Sequence, residues 1–407
     1  MKKIISCLIV LAGIIVMTGA CKRTATYETL ILTGQNNAHD WKVSSQMLTE
    51  ILESSGLFSV TTAVSPEKGA DMSGFAPDFG KYELVVLDYD GDPWPEAVKS
   101  AFVDYVKNGG GVVVYHAANN PFPEWKEFNE ITGLGGWGNR DEKSGPYVYY
   151  RNDSLIRDNS AGRGGSHGPQ HAYLVKARQK EHPILKGLPD EWMHMKDELY
   201  QELRGPATNM EILATAYADT AQKGTGRDEP VLMTLTSGKG RIFHTVLGHV
   251  GKNAEEFPAV KCAGFITTLL RGAEWAASGE VTQEVPVEFP DSMNTVEWAS
   301  FKPLSTEELM EKIKTYKTGR STRYLVDLQY RVRKLSGSED QLFLLEKAVL
   351  GAVESANCET DAKKALIRDL SWMGSDQCIP VLEKLKDKEE LKDDVQFALS
   401  RLKNGGS

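Results

Sequence analysis

The chain has little cysteine to work with. Only five occur in 407 residues, and two of them, Cys7 and Cys21, fall within the first 21 positions. The remaining three, Cys262, Cys358 and Cys378, are too scattered for a short metal-binding pair or a disulfide framework, so buried free thiols are expected. Basic charge is also scarce. Lys plus Arg number 47 against 56 Asp plus Glu, the formal net charge is −9, and no Lys/Arg cluster forms a basic face. A phosphate backbone finds no footing on such a surface, which excludes nucleic acid as the partner. A membrane-spanning helix needs about 20 apolar residues, and the stretch from Ile4 to Met17 falls short of that. Histidine is missing from the last third of the chain, because all eight lie between His39 and His249. Imidazole chemistry is thereby confined to the first two thirds.

The N-terminus has the layout of an export signal: Lys2-Lys3, an apolar stretch, then the small residues Thr18-Gly19-Ala20 ahead of Cys21. A small-residue pair directly before a cysteine resembles a bacterial lipoprotein cleavage site. The expectation is a signal peptide over 1–21, lipidation of Cys21, and export to the cell envelope with a lipid anchor in the membrane. An ordinary signal peptide is the alternative.

The length predicts two or three domains. From about 22 to 278, apolar strand-like runs alternate with amphipathic stretches, the pattern of a mostly parallel sheet with helices on both faces. Strands are expected at Leu30–Thr33, Phe58–Val64, Leu84–Leu87, Gly111–Tyr115, His171–Ala177, Met210–Ala216, Val231–Leu235 and Arg241–Leu247. Ser237-Gly238-Lys239-Gly240 makes a hairpin-like turn, so at least one late pair is expected to be antiparallel. Between Gly133 and Gly168 the chain is rich in Gly, Asn, Asp, Arg and Ser, with one brief strand candidate at Pro146–Tyr150; this insertion reads as a lid or side wall. Residues 279–304 carry Pro286, Pro290 and Pro303 with little periodicity and read as a linker. From 305 to 407 the apolar spacing is helical, with breaks at Gly337, Asn357, Gly374 and Lys388, which predicts an all-α domain of stacked helical hairpins. The run Met373 to Leu382 is similar to HEAT-type repeats. With no histidine, packing or contact with a protein partner is the role expected for these helices.

Three histidines stand where an apolar run gives way to a loop: His39 after Leu30–Gly34, His116 after Gly111–Tyr115, and His249 after Gly240–Leu247. In an open α/β sheet ligands bind outside the carboxyl ends of the strands, so three imidazoles at such ends converge on one crevice if the strands are neighbours. His167 and His171 in the insertion are further candidates, although glycines and Pro169 rule out a helical metal pair there. A neutral imidazole can ligate a divalent metal or act as a general base, so all five histidines are metal candidates. Asp88 and Asp90 follow a strand and face one side; either could act as a general acid or form the turn. Asp197 or Glu198 could pair with a histidine. Trp41, Tyr89, Trp94, Tyr115, Trp125 and Trp137 lie in or beside the loops, where a sugar's C–H face packs well on a ring. His182, His194 and His244 read as structural.

Taken in order, Thr33-Gly34 with His39 and Trp41, Gly109-Gly110-Gly111 before Tyr115-His116-Ala117, His182-Pro183-Ile184, Asp197-Glu198-Leu199-Tyr200, Gly238–Arg241 with Leu247-Gly248-His249, and Arg271–Ala276 resemble the ThuA-like (trehalose-utilisation) proteins. That resemblance implies the class I glutamine amidotransferase-like fold and carbohydrate metabolism. His116 matches the strand-to-helix elbow where amidotransferases carry a nucleophilic cysteine; with no thiol there, glutamine hydrolysis is disfavoured. The expected function is handling of a saccharide or keto-sugar in a histidine-lined crevice, with His116, His39 and Asp88 as the chemical groups. Trp41, Tyr89, Tyr115, Asn119 and His249 are expected to contact the ligand. A non-catalytic sugar-binding or scaffolding lipoprotein is the alternative.

Overall fold

The computed structural model describes residues 26–403, apart from 37, 255, 299–303, 319–321 and 336. The export segment and Cys21 lie outside the described residues. No described helix is long and apolar enough to cross a membrane.

The first four strands are β1 (Tyr27–Gly34), β2 (Phe58–Val64), β3 (Leu84–Tyr89) and β4 (Gly111–Tyr115). A two-residue side-chain period sorts their apolar residues onto two faces. Ile31, Val86 and Val113 join one core with Leu48 and Ile51 of α1 (Trp41–Ser54), while Leu30, Val85 and Val112 join another with Phe102 and Val106 of α2 (Glu96–Lys107) and Phe128 of α3 (Lys126–Thr132). Both faces are therefore covered, which is why these strands read as continuous apolar runs.

The later strands are β5 (Tyr147–Arg151), β6 (Ser154–Asp158), β7 (Ser166–His167), β8 (His171–Ala177), β9 (Glu191–Asp197), β10 (Tyr200–Gln201), β11 (Met210–Tyr217), β12 (Asp228–Ser237) and β13 (Gly240–Thr245). The main sheet runs β2-β1-β3-β4-β13-β12-β11-β8-β9, with the β5–β6 hairpin attached to β12. Its core, β2 to β13, is parallel; from β13 outward every pair is antiparallel. The β12–β13 pair turns through Ser237–Gly240 as expected, and the antiparallel wing extends beyond it to β11, β8 and β9. The sequence pattern had hidden β9, because its inward positions include His194 and Asp197 beside Trp192. It also concealed β6, whose hairpin turns through Asn152 and Asp153 at φ 50° and 56°. Two successive positive φ values are what a tight hairpin requires.

Two helices, α4 (Pro258–Lys261) and α5 (Ala263–Ser278), complete the α/β region. The segment after Gly279 is not a free linker as far as Trp298. Arg271 donates to the Gln283 carbonyl, Gln283 Nε2 donates to the Leu270 carbonyl at 2.9 Å, and Met193 N donates to the Asp291 carbonyl at 2.7 Å. Phe289 meets Trp192 edge-on at 5.7 Å. Prolines remove periodicity from such a strap without freeing it from the surface it covers.

Six helices follow: α6 (Thr306–Ile313), α7 (Arg323–Lys334), α8 (Glu339–Glu354), α9 (Thr360–Met373), α10 (Ile379–Leu385) and α11 (Lys392–Lys403). They bury a separate apolar cluster that includes Leu309, Val349, Leu366, Leu382 and Val395. The start of α6 is set by a capping box between Ser305 and Glu308.

The strap makes a testable statement about stability. Phe289→Ala should cost about 1–2 kcal/mol, as expected for a half-buried aromatic ring. Val287→Ala, at a fully exposed position of the same segment, should stay within about 0.5 kcal/mol of the wild type. Chemical denaturation of the two variants measures both, and equal, negligible effects would mean the segment contributes nothing.

Candidate metal centre

The carboxyl ends of β1, β3, β4 and β13 lie side by side, so the loops that follow them share one edge of the sheet. His39 is carried by the loop after β1. That loop is tied to the one after β13 by a bridge between His39 and Gly251 and by Asp40 N donating to the Val250 carbonyl at 2.9 Å. His116 directly follows β4 and adopts φ 44°, a left-handed conformation that non-glycine residues adopt at a cost. This elbow turns its ring back over the sheet edge, beneath Tyr200 at 4.4 Å between centroids. Gly248, at φ 98°, lets the β13 loop approach closely: a Cβ there would lie 2.7 Å from Phe265 and 2.9 Å from Tyr115.

Three imidazoles and one carboxylate meet as a result. His116 Nε2 lies 3.2 Å from His39 Nε2 and 3.2 Å from His249 Nδ1. Glu198 Oε2 lies 3.1 Å from His249 Nδ1 and 3.9 Å from both His39 Nε2 and His116 Nε2. All four donor atoms fall within 4.8 Å of one another. Tetrahedral zinc with bonds of about 2.0–2.1 Å requires ligand atoms roughly 3.3–3.4 Å apart, so the cluster has the right size.

The protons point the same way. Asn36 Oδ1 accepts from the amides of Ala38 and His39, which identifies it as the oxygen; the third contact, at 3.2 Å, must then come from His39 Nδ1–H. His116 Nδ1–H donates to the Val246 carbonyl at 2.6 Å. Both rings, when neutral, therefore turn an unprotonated Nε2 toward the other. Burial, and then the neighbouring His39 and His249, push the His116 pKa down to about 3, so the ring is neutral. Burial alone would raise the Glu198 carboxyl, but the hydrogen bond with His249 Nδ1 and the attraction of that ring hold it far below the usual range. Two facing lone pairs and an ionised carboxylate fit a divalent cation.

Behind the cluster lies Asp197, fully buried at the end of β9. Its oxygens accept from Glu198 N (2.7 Å), Gly248 N (2.8 Å), His249 N (3.1 Å) and His194 Nε2 (2.7 Å). Burial works against its charge, yet the His194 bond and charge keep its carboxyl below the ordinary value. Second-layer groups of this kind fix ligand orientation.

A cavity of about 490 Å³ opens over the cluster, lined among others by His39, Asp90, Phe122, Trp137, Glu198 and Tyr200. The insertion supplies its side wall through Trp137 and His167; the small β7–β10 sheet sets His167 beside Tyr200, and His167 Nε2 lies 3.9 Å from Glu198. Thus His39, His116 and His249 come together, and His167 stands at the rim. His171 lies outside the donor group, its Nδ1 donating to the Pro169 carbonyl.

Other residues expected at the ligand are placed differently. Asp88 is buried and accepts from Thr33 and Ser44; burial raises its pKa to about 8 despite those bonds, and it supports β1 and α1 from within. Tyr89 is packed against Trp94 and Phe122, and Tyr115 donates to the Gly248 carbonyl. Asn119 donates to His244 Nε2, whose Nδ1–H is held by the Thr132 carbonyl. Trp41 sits half-buried in the first turn of α1. None of these five lines the cavity, and the side chains of Asp88, Tyr89, Tyr115 and Asn119 are buried within the fold. The sequence offers Asp90 as one of two possible general acids and Glu198 as one of two possible histidine partners without fixing either, and it gives Tyr200 no role at the site. The Asp197-Glu198 pair was the available signal, but without β9 its direction was open.

Fold and site define an α/β protein with a histidine–carboxylate centre at the carboxyl edge of its parallel strands. The family described as ThuA, trehalose utilisation, matches residues 28–276, and the chain belongs to it. A ThuA-like protein of known structure from Parabacteroides merdae is 54% identical, with 69% of this chain and 100% of that one covered and a TM-score of 0.66. Another from Bacteroides uniformis is 21% identical over 64% of this chain and 94% of that one, with a TM-score of 0.41. No curated protein matches the chain.

Asp197→Asn should weaken divalent-metal affinity by about 10–100-fold, the range for loss of a second-layer partner. Competition against a chelator measures it; unchanged affinity would show that Asp197 does not position Glu198 and His249.

Proposed function

We propose that the protein is an exported, lipid-anchored, metal-dependent enzyme of carbohydrate metabolism, acting by acid–base chemistry on a neutral saccharide or keto-sugar. The observation that carries this reading is the opening of the three-histidine, one-glutamate cluster into a cavity lined by Asp90, Glu198 and the rings of Phe122, Trp137 and Tyr200, with no lysine or arginine among the described residues that line it. Sugar C–H faces pack on such rings, and sugar hydroxyls donate to carboxylates. The family description, trehalose utilisation, points to the same substrate class.

A divalent ion held by His39, His116, Glu198 and His249 would supply a Lewis acid for a sugar hydroxyl or carbonyl oxygen. The chain's own residues do the rest. Trp137, edge-on to Tyr200 at 4.7 Å, and Phe122 orient the ring and narrow the space left for water. Asp90 is partly buried, and burial raises its carboxyl although His39, Lys68 and Arg140 oppose the shift. It is therefore suited to exchange a proton with a hydroxyl or with a carbon beside a carbonyl.

Metal analysis of the purified soluble form, with turnover assays on disaccharides and 3-keto-sugars, tests this. About one divalent ion per chain and turnover are expected, and His116→Ala should lose the ion and reduce turnover about 100-fold or more, the scale of a lost acid–base or anchoring group. Tight sugar binding without turnover would make the protein a binding protein, and undiminished activity in metal-free protein would overturn the reading.

The anchor rests on the small residues before Cys21. Cys21→Ser should move the protein from the membrane fraction to the soluble one; a variant that remains membrane-bound would contradict lipidation.

A further inference from the structure

The cavity over the metal centre is separated from a second depression only by a ridge of shared residues. Gly91, Phe122 and Pro123 line it on one side and, on the other, line a groove of about 730 Å³ that runs along α2. Trp125 forms part of that groove. Its indole stacks on Phe128 with 5.3 Å between centroids and an interplanar angle of 26°, and meets Trp94 edge-on at 5.8 Å. The packing fixes the ring while leaving it half-buried. Phe122, on the ridge between the two spaces, is held at φ 58° with its ring against Trp94, Trp125 and Phe128. A bulky residue in that conformation needs such support.

The groove's polar rim is mixed in sign. Glu96 and Asp104 face it together with Lys99, which is paired to Glu96 at 2.6 Å and lies 5.7 Å from the Trp125 centroid. A fixed aromatic face bordered by both donors and acceptors suits an uncharged polyhydroxyl ring better than an ion or an apolar chain.

We infer that this groove is a second sugar-binding subsite, so that the ligand is a glycan of at least two rings, one over the metal centre and the next across the Gly91–Phe122–Pro123 ridge on Trp125. The inference rests on the saccharide reading above and extends it to the length of the ligand. It also gives Trp125 a role that its place in the aromatic cluster alone does not require.

Calorimetric titration of the zinc-loaded mature chain with glucose, trehalose, maltose and cellobiose tests it. At least one disaccharide should bind about tenfold or more tightly than glucose, the gain from engaging a second ring. Trp125→Ala should reduce that disaccharide to the affinity of glucose, with zinc stoichiometry and glucose affinity unchanged. Because Trp125 also packs in the core, Ser100→Trp provides an independent test: Ser100 is exposed on α2 and lines the groove, so the new ring would fill the subsite from outside. Glucose binding as tightly as every disaccharide, or a disaccharide preference that survives Ser100→Trp, would overturn the subsite alone. Zinc loading with no sugar binding at all would overturn the saccharide reading and the subsite with it.

Discussion

One buried carboxylate holds the site together. Asp197 ends β9, the outermost strand of the antiparallel wing, yet it accepts hydrogen bonds from Gly248 and His249 in the loop after β13, at the middle of the sheet. It also accepts from the amide of Glu198 and from His194. A buried charge without partners is strongly destabilising, and here four donors compensate it. Two metal-ligand candidates, Glu198 and His249, are held by their own backbone amides to this one group. Parallel-strand topology brings His39, His116 and His249 to one edge, but Asp197 joins the antiparallel wing to that edge and so delivers the carboxylate.

The second constraint is a count of protons. Asn36 and Val246 occupy the Nδ1–H groups of His39 and His116, which leaves two nitrogens facing each other at 3.2 Å without a proton between them in the neutral state. The left-handed turn at His116 adds its own backbone cost. Facing lone pairs and the ionised Glu198 carboxylate give the cluster the charge and donor set that a divalent cation would satisfy.

Much of this was readable from the chain, for physical reasons. Strands buried on both faces appear as unbroken apolar runs, and a histidine at the end of each of three such runs locates the crevice before any coordinates. Polar groups directed inward defeat the same logic. Trp192, His194 and Asp197 all point into the core from β9, so the strand shows no apolar alternation, and Glu198 could not be placed by pattern. Asp88, Tyr89, Tyr115 and Asn119 lie at or next to strand ends, as ligand-contacting groups would, yet their side chains are spent on internal packing and hydrogen bonds. Position along a strand is legible in sequence; the direction of a side chain beyond its last paired residue is not. The strap of residues 279–298 shows the same limit, since aperiodic, proline-bearing sequence cannot distinguish a tether from a segment packed on Trp192 and Arg271.

The central claim is that His39, His116, Glu198 and His249 together hold one divalent ion. X-ray absorption at the zinc edge of the metal-loaded protein tests it most directly. The account predicts a first shell of nitrogen and oxygen at about 2.0–2.1 Å, with outer-shell scattering from three imidazoles that loses one imidazole contribution in His249→Ala. A spectrum with sulfur ligands, or with one imidazole or none, would contradict it.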